Sequence, residues 1–154
     1  MMRRMLTIVL VGMAAAGCER YTYRPVPVER TPYDSQWEAV KRCLLETAKL
    51  GYRRTADMEH TWQSPQTTAY RGYGDCTSQA TLLYQRLLKS GVRDAKIAFG
   101  YYGYTWHAWV EWRGYVLDPT VSWVPVKPAM DEYRPCWGYD LAGKYRYIEE
   151  RPTG

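Results

Sequence analysis

The chain has 154 residues, 46% of them apolar and 24% charged, with 21 Lys and Arg against 16 Asp and Glu and a formal net charge of +5. This composition is globular, neither disordered nor collagen-like, and the length suits one domain rather than two. The pI is about 9.0, but the basic residues are dispersed and no nucleic-acid motif occurs, which argues against a nucleic-acid partner. The aromatic content is skewed, with 15 Tyr and 7 Trp against a single Phe, so rings with a polar tip dominate.

Arg3 and Arg4 precede an apolar stretch from Met5 to Met13, followed by Ala14-Ala15-Ala16-Gly17-Cys18. The stretch is too short to cross a bilayer, which takes about 20 residues, and it fits the h-region of a secretory signal over residues 1–17. Two cleavage readings stay open. Ala14-Ala15-Ala16 is an A-x-A site for ordinary signal peptidase, giving a soluble periplasmic protein. Ala15-Ala16-Gly17-Cys18 resembles a bacterial lipobox, with Cys18 as the acylated N-terminus and Ala15 where Leu is usual. The lipoprotein reading is preferred, because a Cys directly after Ala-Gly at the end of an h-region is hard to explain otherwise. With Glu19 after Cys18, the resemblance to Gram-negative lipoproteins points to the periplasmic face of the outer membrane, with membrane contact through the lipid anchor. Residues 19–34 contain Pro25, Pro27 and Pro32 and read as an extended tether. The folded domain is then 35–154.

Ser35-Gln36-Trp37-Glu38 has the form of a capping box and opens a helix to about Leu50, with Gly51 as its C′ stop. Trp37, Val40, Leu44 and Ala48 share its apolar face. Residues 52–75 read as irregular, punctuated by Pro65, Gly72 and Gly74. A second helix is expected from Cys76 to Lys89 or Ser90, stopped by Gly91, with Ala80, Leu83, Leu87 and Leu88 as its buried stripe. Strand-like runs follow at Ala95–Tyr102, Tyr104–Trp112 and Tyr115–Asp118, and Arg113-Gly114 is the hairpin turn between the last two. Beyond Pro119 the chain is rich in Pro and Gly, with a final strand at Tyr145–Glu149. Helices first and an antiparallel sheet after them make an α+β domain.

Gly74-Asp75-Cys76 stands where a loop becomes a helix, and a thiolate there is favoured by the helix dipole and the unsatisfied N–H groups. His107 lies in Thr105-Trp106-His107-Ala108-Trp109-Val110-Glu111-Trp112, where alternation puts His107, Trp109 and Glu111 on one face. If Arg113-Gly114 is a two-residue turn, Trp112 pairs with Tyr115 and Trp109 faces Asp118. Asp118 is then a diagonal neighbour of His107, with backbones about 7–8 Å apart. A one-residue slip would send Asp118 to the opposite face. The hairpin thus builds a His–Asp pair from spacing alone, and with Cys76 it supplies nucleophile, base and orienter of a thiol triad.

Trp62-Gln63-Ser64-Pro65-Gln66-Thr67, Gly72-Tyr73-Gly74-Asp75-Cys76, the helix ending Leu-Leu-Lys-Ser-Gly-Val, His107-Ala108-Trp109-Val110-Glu111 and Leu117-Asp118-Pro119-Thr120 resemble the transglutaminase-like superfamily. The closest look is to its bacterial transglutaminase-like cysteine proteinases. The resemblance covers about residues 58–120. It implies a papain-like α+β core with the nucleophile helix packed on an antiparallel sheet, and catalytic roles for Cys76, His107 and Asp118. It also implies acyl transfer or hydrolysis on amide bonds of a protein or peptide substrate. Such proteinases usually carry acidic residues after the GDC, which in some members help to bind calcium. Thr77 and Ser78 stand there, so no calcium and no other cofactor is expected.

The backbone N–H of Cys76 is one expected oxyanion donor. Gln66, Trp62 and Tyr73 are candidates for a second, and spacing does not choose among them. Cys43 and Cys136 could form a disulfide in an oxidising compartment or be independent buried thiols. No zinc site is expected, because no C-x-x-C occurs and His60 and His107 lack ligand spacing. An alternative to the enzyme is a catalytically silent envelope-binding module of the same fold that uses its Tyr and Trp surfaces.

Overall fold

A computed structural model describes residues 32–54, 63–129 and 132–146. The expected signal segment, Cys18, the tether up to residue 31, His60 and Trp62 lie outside the described residues. The elements in chain order are α1 (Pro32–Ala48), β1 (Gly51–Tyr52), α2 (Pro65–Arg71), β2 (Tyr73–Gly74), α3 (Cys76–Lys89), β3 (Lys96–Tyr102), β4 (Thr105–Trp112), β5 (Tyr115–Leu117), β6 (Tyr133–Asp140) and β7 (Gly143–Arg146). β3 to β7 form one antiparallel sheet in the order β5-β4-β3-β6-β7, and β1 and β2 form a separate parallel pair.

One face of the sheet carries the main core. Val40, Cys43 and Leu44 of α1 and Ala80, Leu83 and Leu87 of α3 are buried together with Ile97 and Phe99 of β3 and Ala108, Val110 and Trp112 of β4. Each fully buried Leu contributes about 2 kcal/mol through removal of apolar surface from water. The 3.6-residue period of the helices meets the two-residue period of the strands here, as the apolar pattern requires. The opposite face holds a smaller cluster of Ala98, Trp109 and Val116, with Tyr133 packed against it.

Several boundaries differ from the sequence expectation. α1 begins at Pro32, not Ser35, so Ser35 is inside the helix and does not cap it, and residues 32–34, expected in the tether, belong to the helix. Proline is well suited to the first helical position, because its fixed φ is helical and its missing N–H would be unpaired there anyway. α1 ends at Ala48, and Gly51 is the first residue of β1 rather than a helix stop. The stretch expected to be irregular contains α2, whose start and stop are local. Ser64 caps it by accepting the Thr67 N–H, Pro65 opens it, and Gly72 closes it at φ 71°. β6 was not expected at all, because Pro135 and Gly138 are poor residues for a central strand. β7 ends the sheet at Arg146, displaced from the expected strand at 145–149. α3 and the strands β3 to β5 fall within a residue or two of expectation.

Proline is tolerated in β6 because the strand is bulged there. Phe99 pairs with Trp137 but Gly100 pairs with Pro135, which leaves Cys136 as the extra residue. Gly100 makes the bulge possible, since a Cβ at this position would run into the Arg134 carbonyl oxygen and lie 2.8 Å from Pro135 Cα. Cys136 is a free thiol, and so is Cys43, which is buried on α1 with its sulfur 3.4 Å from Ser90 Oγ. The candidate disulfide is therefore not formed. Each thiol sits in its own local setting, one in the helical core and the other in the bulge.

Gly100→Ala is expected to force β6 away from β3 and to lower stability by roughly 3 kcal/mol, at the severe end for a single substitution. Thermal unfolding followed by circular dichroism measures this, and an unchanged midpoint would show that the close approach is not required.

Candidate active site

Each residue of Gly74-Asp75-Cys76 has a local physical task. Gly74 lets β2 lie against the first turn of α3, since a Cβ there would fall 2.8 Å from Ser78 Cβ and 3.1 Å from Thr68 Cγ2. Asp75 is the N-cap of α3, its carboxylate accepting the Ser78 N–H at 2.8 Å. Cys76 is the first helical residue, at the positive end of the helix dipole. Gln79, buried one turn on, donates through Nε2 to the carbonyls of Gly51 and Gly74 at 3.2 and 3.1 Å. It ties β1 and β2 to the helix that carries the thiol.

The hairpin has the expected register. Trp112 pairs with Tyr115, Glu111 with Val116 and Val110 with Leu117. Arg113 and Gly114 both have positive φ, at 47° and 78°, the two-residue turn whose twist matches that of the strands. Asp118 follows β5 on the face of His107, and His107 Nε2 lies 2.6 Å from Asp118 Oδ2. Thr120, two residues on, donates to the other carboxylate oxygen, Oδ1, from its backbone N–H at 3.0 Å and its hydroxyl at 2.7 Å. The Thr120 hydroxyl oxygen is also 3.4 Å from His107 Nε2. Tyr133, from β6, donates its O–H to Oδ2 at 3.1 Å. Asp118 is only 1% exposed, and an unpaired carboxylate at such depth would be strongly unfavourable. Here both oxygens are fully engaged.

Because Nε2 of His107 is committed to Asp118, the other ring nitrogen, Nδ1, is the one left for Cys76. Burial works to raise the Cys76 thiol, but the hydrogen bond and charge of His107 and a backbone hydrogen bond from Ala108 outweigh it. The thiol is lowered overall, against a smaller opposing effect of Asp75. Burial works to lower His107, but hydrogen bonds to Asp118 and Cys76 and their negative charges carry it up to about 9. The two shifts have one cause: thiolate and imidazolium stabilise each other in a half-buried setting, and Asp118 supports the imidazolium from behind.

Cys76, His107 and Asp118 are thus brought together. Gln66 is exposed on α2, and Tyr73 carries the Arg53 guanidinium 5.1 Å above its ring. Among the described residues no hydrogen bond joins either to the three. Glu111 shares the face of His107 but pairs with Lys96 at 3.4 Å and accepts the Trp109 indole N–H at 3.3 Å. Three residues around the site were not anticipated. Thr120 could have been read from the Asp-Pro-Thr turn, where a hydroxyl two residues on reaches back to the carboxylate. Tyr133 and Tyr52 had no such signal, since each arrives on a strand distant in sequence. The Tyr52 phenol, 58% exposed on β1, is held above its usual range by burial and by the charges of Cys76, Asp75 and Asp118.

Residues 21–128 match the family model of the transglutaminase-like superfamily. Comparison with curated protein sequences returns no match. Among solved structures, calcium-bound LapG of Legionella pneumophila superposes with a TM-score of 0.64 at 17% identity, covering 76% of this chain and 70% of LapG. EGTA-treated LapG of the same organism gives 0.64 at 17% identity, covering 77% of this chain and 69% of that one. At this identity the likeness is one of fold. With the match extending over more than half of the chain, and with helices packed on a five-stranded antiparallel sheet, this protein belongs to the transglutaminase-like superfamily.

Proposed function

We propose that this protein is an exported thiol enzyme that performs acyl transfer or hydrolysis on amide bonds of proteins or peptides. Cys76 is the nucleophile, His107 the base and Asp118 the orienter. The observation that carries this reading is the continuous set of interactions from the Cys76 thiol through the His107 ring to Asp118, with the histidine raised to about 9 and the thiol lowered. A structural histidine needs one hydrogen-bond partner. This one is shared between a helix-terminal thiol and a buried carboxylate.

The Cys76 thiolate attacks the amide carbonyl carbon, and the developing oxyanion is met by the Cys76 backbone N–H at the open end of α3. His107 gives its Nδ1 proton to the leaving amine, the C–N bond breaks, and a thioester remains. The neutral imidazole then takes a proton from water or from a second amine. The thioester is released as an acid or as a new amide. Gln66, Trp62 and Tyr73 are candidates for the second oxyanion donor, and Tyr52 joins them because its phenol stands within electrostatic reach of the thiol. Calcium is part of one LapG structure. In this chain Thr77 and Ser78 follow Cys76, and among the described residues no three His, Cys, Asp or Glu are grouped to hold a metal ion.

Export and lipid attachment at Cys18 belong to the same proposal, supported by the basic, apolar and Ala-Gly-Cys order of the first residues. Radiolabelled palmitate is expected to mark the wild type and not Cys18→Ala in a Gram-negative host. An unlabelled wild type would sink the anchor and favour the soluble periplasmic form.

Alkylation of Cys76 by iodoacetamide, read by peptide mass with Cys43 and Cys136 as internal references, tests the pair. Cys76 is expected to react well below the ordinary thiol pKa of about 8.5, and His107→Ala to slow the reaction at pH 6.5 at least roughly tenfold, since the thiol then needs a higher pH to ionise. Ordinary titration of Cys76 in both proteins contradicts the assignment. With a peptide substrate, Cys76→Ala should abolish turnover. Unchanged ligand binding with no turnover in the wild type would instead favour the silent binding module. Asp118→Asn removes the charge behind the imidazole, so the His107 titration, followed by nitrogen NMR, should fall clearly below about 9, because Cys76 alone is then left to oppose burial. A His107 value unmoved by this change would remove Asp118 from the set.

A further inference from the structure

The Asp118 carboxylate is held from two directions of different origin. Oδ1 is taken by Thr120, a local contact within one turn. Oδ2 is shared by His107 Nε2 and the Tyr133 phenol, and Tyr133 belongs to β6, which is separated from β4 in the sheet by β3. The Tyr133 ring is fixed on both sides, 4.6 Å from the Tyr102 ring and 5.1 Å from that of Trp109. Its strand is brought in by the bulge at Cys136 and by the missing side chain at Gly100, which lies opposite His107 on one side and Pro135 on the other. The fold thus spends a strand irregularity to place one hydroxyl on the oxygen that orients the histidine.

We propose that Tyr133 is a positioning residue of the thiol site: its phenol fixes the Asp118 oxygen that orients His107 and takes up part of the charge that this oxygen presents to the imidazolium. The proposal rests on the assignment of Cys76, His107 and Asp118 made above. Thr120 holds Oδ1 and Tyr133 holds Oδ2, so both oxygens keep a partner that is independent of the protonation of His107. Burial and the Asp118 charge hold the Tyr133 phenol well above its ordinary range, so it stays a donor at every pH at which the site works. His107 and Tyr133 draw on the same Oδ2 charge, so the hydrogen bond from one weakens the pull of that oxygen on the other. Tyr133 therefore keeps His107 acidic enough to release its proton to a leaving amine.

Cys76 from α3 acts on His107, and Tyr52 from β1 feels the charge of Asp118; around these, Asp75 acts on Cys76, Arg54 on Tyr52, and Tyr102 and Glu132 on Tyr133. Tyr133→Phe leaves all of them in place and keeps the ring that packs on Trp109. The test uses the full chain labelled with nitrogen-15 histidine, with His60 as the reference resonance. In Tyr133→Phe the His107 titration is expected about half a pH unit above wild type, and the upper limb of the Cys76 alkylation profile should move with it. Profiles that superimpose on wild type overturn the proposal, whatever the melting temperature does, because a residue that only packs would change stability alone. In the wild type itself, the Tyr133 hydroxyl proton is expected as a slowly exchanging resonance close to the His107 ring. Exchange at the rate of an exposed phenol overturns the proposal even if the variant does not fold. Failure of the thiol assignment is seen separately, in wild-type Cys76 that ignores His107→Ala. A His107 shift in Tyr133→Phe would still support the positioning contact in that case.

Discussion

α3 lies along β4 with Ala80, Leu83 and Leu87 in one core with Ala108, Val110 and Trp112, and this burial decides where the N-terminus of α3 meets the sheet. A helix held by an apolar stripe has little freedom to slide or rotate, because each shift exposes Leu side chains that contribute about 2 kcal/mol apiece. The open end of α3 is thereby fixed at the level of His107 and Ala108, the residues that engage the Cys76 thiol. Moving the helix by one turn would carry the thiol about 5.4 Å away and uncouple it from the imidazole.

The second constraint is electrostatic. A carboxylate buried to 1% exposure persists only if its oxygens are satisfied, and the donors come from three separate places in the chain: β4, the turn after β5, and β6. The same bonds that make Asp118 tolerable make it immobile. The segment after Asp118 is anchored too, since its carbonyl accepts the Ser122 N–H at 2.8 Å and Val126 exchanges two backbone hydrogen bonds with Val116. The stability and the rigidity of this cluster therefore have one source.

Much of this was legible locally. The Cys76 helix, its stop at Gly91 and the Arg113-Gly114 hairpin were readable because each depends on neighbours within a few residues: an Asp cap, a glycine in the left-handed region, a two-residue turn with positive φ. The hairpin register followed from its turn, and the His107–Asp118 contact followed from the register. The start of α1 was misplaced because two local signals competed, a proline that can open a helix and a capping box three residues later. α2 was missed although Ser64, Pro65 and Gly72 all mark it, since a helix this short has too few residues to show a period.

The family, a cysteine at a helix start and the His107–Asp118 pair were readable from the sequence, because these rest on contacts that are short along the chain and on residue types with few alternatives. Tertiary packing alone settles that β6 exists, that its proline sits in a bulge, that Cys43 and Cys136 stay apart, and that Tyr133 reaches Asp118. The placement of β6 depends on its meeting β3 across the sheet, as Gly100 and Pro135 do. Their energies come from close packing and buried hydrogen bonds that no local pattern encodes.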